Sequence, residues 1–463
     1  MRITITIGLV VASAVAVLQC SAFAPSSSTT TRRHISSLAS STITTNNNKE
    51  DPFCQIEYSP EDPTPCIEDE EVAVLNNNPP QPGAIMKMLP KDTWKVSTKE
   101  SLLYFTADVL AVISTMSFLY AVVTSEQYHS LPMFAQAIEV LPLQILTGFA
   151  MWCTWCIGHD AGHGTISKNN SYGDLVNRIV GEITHSVICL TPFVPWQLSH
   201  RKHHLNHNHL EKDYSHQWYI KEEQEELHPL IQASHALRMV FLPFLYFVYL
   251  VTGIPDGGHV FFYGRMWEGQ SMREKLDAAI SVVVSFVTAG TLWHNMGTAD
   301  FAVVCMVPWS VMGFWLFMVT YLQHHSEDGK LYTDDTFTFE RGAFETVDRD
   351  YGKLVNRMSH HMMDGHVIHH LFFTKVPHYR LEAATKALQK GMKERGQEHL
   401  YKQIDTPDYT QEIIKQFYEN WFFINEKQVV RTWGDDSESS SPPTLKVTEK
   451  KMRLSTSLAA KNE

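Results

Sequence analysis

Cysteine is sparse and unpatterned in this chain. The seven residues among 463 show no framework spacing, which excludes a disulfide-stapled scaffold. Cys153 and Cys156 do form a C-x-x-C, but inside an apolar run, whereas redox pairs sit at exposed helix starts; a buried, inert pair is expected. Basic residues are also few, 38 against 50 acidic ones, and they form no stripe. With a net charge of −12, a nucleic-acid surface is excluded. A glycine-rich dinucleotide fingerprint is missing, and acids are absent before Glu50.

That last absence marks an address. Residues 1–22 combine a short positive start, the apolar run "ITITIGLVVASAVAVL" and small residues before a cut, as in a signal peptide. Residues 23–50 are rich in Ser and Thr and carry Arg but no acid before Glu50, which is transit-peptide composition. The junction "SAFAP", with Phe23 after the cut, resembles the bipartite presequence of algae with secondary plastids, such as diatoms. The same residues also fit an ordinary signal peptide followed by a stalk. Residues 51–94 read as a disordered, acidic, Pro-rich lead-in, residues 95–434 as the folded domain, and residues 435–463 as a disordered tail.

Within the folded domain the apolar residues are gathered into blocks. Residues 101–123, 131–158, 275–293 and 301–322 are each long enough to cross a bilayer, which takes about 20 apolar residues. Asp108 and Glu139 fall in two of them and are expected to face other helices or lie near an interface. Residues 239–255 are apolar but short and broken by Pro243, and read as an interfacial or re-entrant element. The connectors 124–130 and 293–300 contain no Lys or Arg, while 159–237 and 323–434 contain many. Both connectors therefore lie on the far side, and all the large polar blocks lie together on the near side. The expectation is an all-α integral membrane protein, with about four transmembrane helices in two hairpins under a soluble helical cap.

The polar blocks are unusually rich in histidine. "LSHRKHHLNHNHLEKDYSH" holds six in nineteen positions. Imidazole makes a poor permanent charge near neutral pH and a good metal ligand. Three groups stand out: His159 and His163 in "HDAGH", His200, His203 and His204 in "HRKHH", and His366, His369 and His370 in "HVIHH". Residues three and four apart share a helix face, so each group presents its rings to one side. All three follow spans that end on the same membrane face and can converge. Eight nitrogen ligands exceed one ion, and no Cys lies nearby to suggest structural zinc. Two metals with open positions suit iron activating dioxygen. Asp160, Asp213 and Asp364 lie close enough in sequence to orient imidazoles through their other N–H, or to be ordinary solvated acids.

The set H-x-x-x-H, H-x-x-H-H, H-x-x-H-H resembles the three histidine boxes of the membrane fatty acid desaturases, over residues 95–430. "GHDAGHGTIS", "HLEKDYSHQW", "RGAFETVDRDYG" and "GHVIHHLFFTKVPHYRLEAATKAL" are similar to the methyl-end group, the omega-3 and delta-12 acyl desaturases. Ala161 stands where many members carry Cys, at a position that is not a ligand. The resemblance implies a cap holding two non-haem iron ions and a further ligand after the last span, His324 in "LQHH", with His325 as the alternative. It also places His360 near the site. His207, His209 and His216 exceed the expected coordination and read as structural.

The implied reaction is O2-dependent desaturation of fatty acyl groups carried on membrane glycerolipids. Omega-3 insertion is favoured over delta-12, and hydroxylases and acetylenases share the scaffold. Electrons come from an outside donor, as no His-Pro-Gly-Gly haem signature is present. The donor is ferredoxin in a plastid membrane, or a cytochrome b-type protein in the endoplasmic reticulum. A histidine-rich metal transporter is the competing class, but it would hold its ligands near the bilayer midplane rather than past the ends of the spans.

Overall fold

The computed structural model of the protein describes residues 78–168, 170–213, 218–226, 229, 232–233, 258–405 and 423–431. The presequence, the 239–255 element, His216 and the C-terminal tail lie outside the described residues. Ordered structure begins before the expected boundary at residue 95. Pro82–Met88 is a helix, started by its proline, and its Ile85 is fully buried. Met88 lies where a side chain on Gly391 would go, which fixes the lead-in against the cap.

Helix α1 (Thr98–Val123) starts where the Ser97 hydroxyl accepts the Glu100 N–H at 3.2 Å. Helix α2 (Met133–Gly162) returns to the near side. Helix α3 (Asn170–Gly181) runs on into a π-helical turn (Glu182–Ile188), and α4 (Phe193–Asn206) departs from that line at 110°. Helix α5 (Met272–Met296) opens on a Ser271/Glu274 capping box. It closes at Gly297, whose φ of 80° reverses the chain in one residue. A single run of helix (Thr298–Gln323) then comes back, its main part being α6 (Val307–Gln323). Helices α7 (His366–Phe372) and α8 (Leu381–Glu394) lie in the cap.

Among the described residues, four helices are thus long and apolar enough to cross a membrane, in the two hairpins expected. The inner pair, α2 and α6, pack on each other, while α1 and α5 lie outside them. Leu103, Leu110 and Phe118 on α1 and Val283, Phe286 and Val287 on α5 stay exposed, forming faces suited to hydrocarbon. Asp108 turns from lipid to His360, and exposed Glu139 sits two turns inside the start of α2.

The cap is not wholly helical. Three short parallel strand pairs stitch distant segments together. They are β1 (Tyr219–Ile220) with β5 (Phe423–Ile424), β2 (Leu331–Tyr332) with β6 (Val429–Val430), and β3 (Val347–Asp350) with β4 (Lys402–Asp405). Two to four residues apiece is too short for a period-two pattern to show in the sequence. Cys153 and Cys156 are buried with free thiols, as expected.

Candidate metal centre

The first histidine pair sits where α2 runs out. His159 is in its last turn and His163 is its C-cap, with Nε2 atoms 3.3 Å apart. Gly158 makes this possible. Any side chain there would strike the Thr184 hydroxyl and the His185 ring, so only glycine lets α2 end against the π-helical turn. The bend before α4 aims the second group back over that end. His200 and His204, four apart, face one way, and His203 faces the other. Helix α7 divides likewise, with His369 on one side and His366 and His370 on the other.

The result is two clusters. The donor atoms of His159, His163, His200, His204 and His369 all lie within 4.8 Å of one another. Within this set His200 and His204 bring their Nε2 atoms to 3.0 Å, and His204 and His369 to 3.2 Å. The second cluster is built round His324, the C-cap of α6. His203, His207 and His324 form one triad and His324, His366 and His370 another. The Nε2 of His324 lies 3.3 Å from those of both His203 and His366.

This donor set fits metal ions. A neutral imidazole has one N–H, so several Nε2 atoms aimed at one point leave facing lone pairs that only a cation satisfies together. Burial pushes His163, His366, His369 and His370 well below the usual imidazole range, which keeps them neutral, the form that ligates. Among the described residues no thiolate or carboxylate joins either cluster.

Around the rings stand groups that orient them. Asp213 accepts from His203 Nδ1 at 2.8 Å and lies 3.5 Å from His207 Nδ1. Asp160 lies 3.8 Å from His159 Nδ1. Asp348 accepts the Val367 N–H at 2.9 Å, capping the start of α7, and takes a second hydrogen bond from the Tyr401 hydroxyl. Burial pushes the Asp348 carboxyl up to about 7. Arg349 is fully buried and donates to the Leu322 and His325 carbonyls at 2.9 and 3.0 Å, on either side of His324.

Two expectations need correction. His207, read as structural, belongs to the second cluster; its i, i+4 spacing from His203 was the signal that could have found it. Asp364 meets no box histidine and instead sits 3.1 Å from His361 Nδ1, because α7 turns its start toward Asp348. His360 pairs with Asp108 at 2.6 Å rather than with a cluster ring. The choice between His324 and His325 falls to His324, since His325 lies flat against Trp218 and Tyr321. His209 behaves as a structural residue, holding Asp334 at 2.9 Å. Sequence reasoning missed Arg349, Asp348 and His378, single polar residues with no periodic pattern around them.

Comparison with known proteins agrees with this geometry. Residues 137–402, which include the histidines of both clusters, match the profile of the family described as Fatty acid desaturase. The chain is 35% identical over 249 residues to the Delta(12) fatty acid desaturase fat-2 of Caenorhabditis elegans, covering 51% of this chain and 62% of that one. It is 34% identical over 311 residues to an Arabidopsis thaliana acyl-lipid omega-3 desaturase (cytochrome b5) of the endoplasmic reticulum, over 66% of this chain and 75% of that one. A sn-1 acyl-lipid omega-3 desaturase (ferredoxin) of Nostoc is 28% identical over 314 residues, or 67% of this chain and 81% of that one. With its two histidine clusters lying inside the matched segment, the chain belongs to the fatty acid desaturase family and is an oxidoreductase of that kind.

Proposed function

We propose that the protein is a di-iron acyl-lipid desaturase that places a cis double bond near the methyl end of a membrane glycerolipid acyl chain, with omega-3 insertion its main activity. The observation that carries this reading is the pair of all-histidine clusters on one face of two membrane hairpins. The overall change is CH2–CH2 plus O2, two electrons and two protons, giving CH=CH and two waters. Iron, when bound, supplies the dioxygen chemistry that an unactivated methylene requires. His159, His163, His200, His204 and His369 would hold one ion, and His203, His207, His324, His366 and His370 the other. Trp196 lies flat on His200 at 4.6 Å and Phe373 on His204 at 4.5 Å, so aromatic walls keep water from the first cluster.

The omega-3 choice rests on the boxes "HDAGHG" and "DGHVIHHLFFTKVPHY" and on the omega-3 names of two of the relatives above. The delta-12 name of the nematode relative supports the alternative. Expression in yeast, whose own chains supply oleate, separates the two. Conversion of fed linoleate to alpha-linolenate, with no linoleate made from oleate, is expected; linoleate from endogenous oleate would replace omega-3 by delta-12.

The N-terminal composition supports a plastid membrane, and ferredoxin as the donor, over the endoplasmic reticulum and a cytochrome b-type donor. A fluorescent protein fused after residues 1–50 is expected to enter the plastid of a diatom-like host, and a Phe23→Ala change to strand it outside. Reticular fluorescence from the unaltered fusion would reverse the assignment.

A further inference from the structure

A polar chain leads from the first cluster to α1, and neither the histidine pattern nor the site described so far uses it. Asp160 places one carboxylate oxygen 3.8 Å from His159 Nδ1, a charge contact rather than a hydrogen bond. The other accepts two hydrogen bonds from one residue, His378, through its backbone N–H at 2.9 Å and its Nδ1 at 3.0 Å. The His378 ring meets the His360 ring edge-on at 4.5 Å, and His360 Nε2 lies 2.6 Å from Asp108 on α1. His378, Asp160 and His360 are buried.

Two further observations show that this arrangement is built rather than incidental. His360 and His361 both have positive φ, 55° and 57°, a conformation unfavourable for residues with a side chain. Strain of that sort persists only where the surroundings enforce it, and here it carries the His360 ring to Asp108. The α1 face opposite is also committed to the same segment. Tyr104 sets its edge against His378 at 4.8 Å and stacks on Tyr379, whose hydroxyl accepts the Ser97 N–H at 2.8 Å. Ser97, Ser101, Tyr104 and Asp108 follow helical spacing along one face.

We propose that His378 is a positioning residue for the first metal: it fixes Asp160 so that His159 keeps its Nε2 on the cluster, and through His360 and Asp108 it ties that ligand to α1. His159 contributes one of five donors and α2 ends three residues later, so its ring lies where the helix gives little further support. Groups that orient ligating imidazoles in this way alter metal affinity about 10- to 100-fold when removed. The proposal rests on the di-iron reading above.

The test measures iron per chain and its rate of release to EDTA in purified full-length protein, with the unfolding midpoint as control. His378→Asn keeps an N–H donor where Nδ1 stands, while His378→Gln moves the donor outward by one bond and His378→Leu removes it. The Asn variant is expected to release both irons as slowly as the unaltered protein. The Gln and Leu variants should release one of the two at least about tenfold faster, with the other unchanged. If the Leu variant fails to fold, the Asn and Gln pair still decides, both being polar and of similar size. Equal release from Asn and Gln variants, with two irons in the unaltered protein, overturns the positioning role alone. Absence of iron from the unaltered protein overturns the di-iron reading and this proposal with it.

Discussion

His324→Ala is expected to lower desaturase activity at least about 100-fold and to halve bound iron, while His325→Ala leaves both close to unaltered. The two residues are neighbours of one type, so composition and hydropathy cannot separate them. Their surroundings do. His324 is the only residue common to both triads of the second cluster, with its Nε2 3.3 Å from those of His203 and His366. Removing it takes the shared donor from between His203 and His207 on α4 and its C-cap and His366 and His370 on α7. Five donors remain in the first cluster, so one ion should stay. His325 points the other way, stacked at 4.3 Å on Trp218 and 5.0 Å on Tyr321, so its loss should leave both clusters their donors. Iron analysis of the two variants beside activity is the check. Iron lost from His325→Ala and kept in His324→Ala would exchange the assignments.

How much of this was legible beforehand depends on whether a residue's role is written in a period. The four spans were, because a bilayer demands a long apolar run whatever the rest of the chain does. Their observed ends differ from the expected ones by only a few residues, as at Thr98 against 101 and Gly162 against 158. The eight box histidines were legible as candidates from their spacing of three and four, but each group does not present its rings to one side as expected: His203 turns away from His200 and His204, and His369 from His366 and His370, so one helix serves both clusters. His207 obeys the same rule four residues from His203, but a limit of about four donors per ion left no place for it, whereas the second cluster brings five imidazoles together. Asp364 failed for the opposite reason: nearness in sequence to His366 said nothing about direction, and the αL backbone at His360 and His361 turns the chain so that Asp348 reaches α7 first. The three parallel strand pairs join residues 55 to more than 200 positions apart in sequence, and no local pattern announces such partners.

Arg349 is the clearest case of a residue without a pattern and with a large expected effect. Its side chain is fully buried. It donates to the carbonyls of Leu322 and His325, at the C-terminal end of α6, where the Leu322 carbonyl also takes the His325 N–H at 3.5 Å and a positive charge is favourable. Those two carbonyls bracket His324, so one guanidinium fixes the backbone on both sides of the ligand shared by two triads. Arg349→Leu keeps much of the volume and leaves both acceptors buried without this donor. A buried acceptor that loses its donor costs about 1–3 kcal/mol, against a total stability of about 5–15 kcal/mol for a typical fold. A clearly lowered unfolding midpoint is expected in detergent, together with loss of one iron of the two and of nearly all activity. Arg349→Lys should fall between, since an ammonium reaches one carbonyl at good geometry but not both in one plane. A Leu variant that retained both irons and an unshifted midpoint would mean that α6 holds His324 in place unaided.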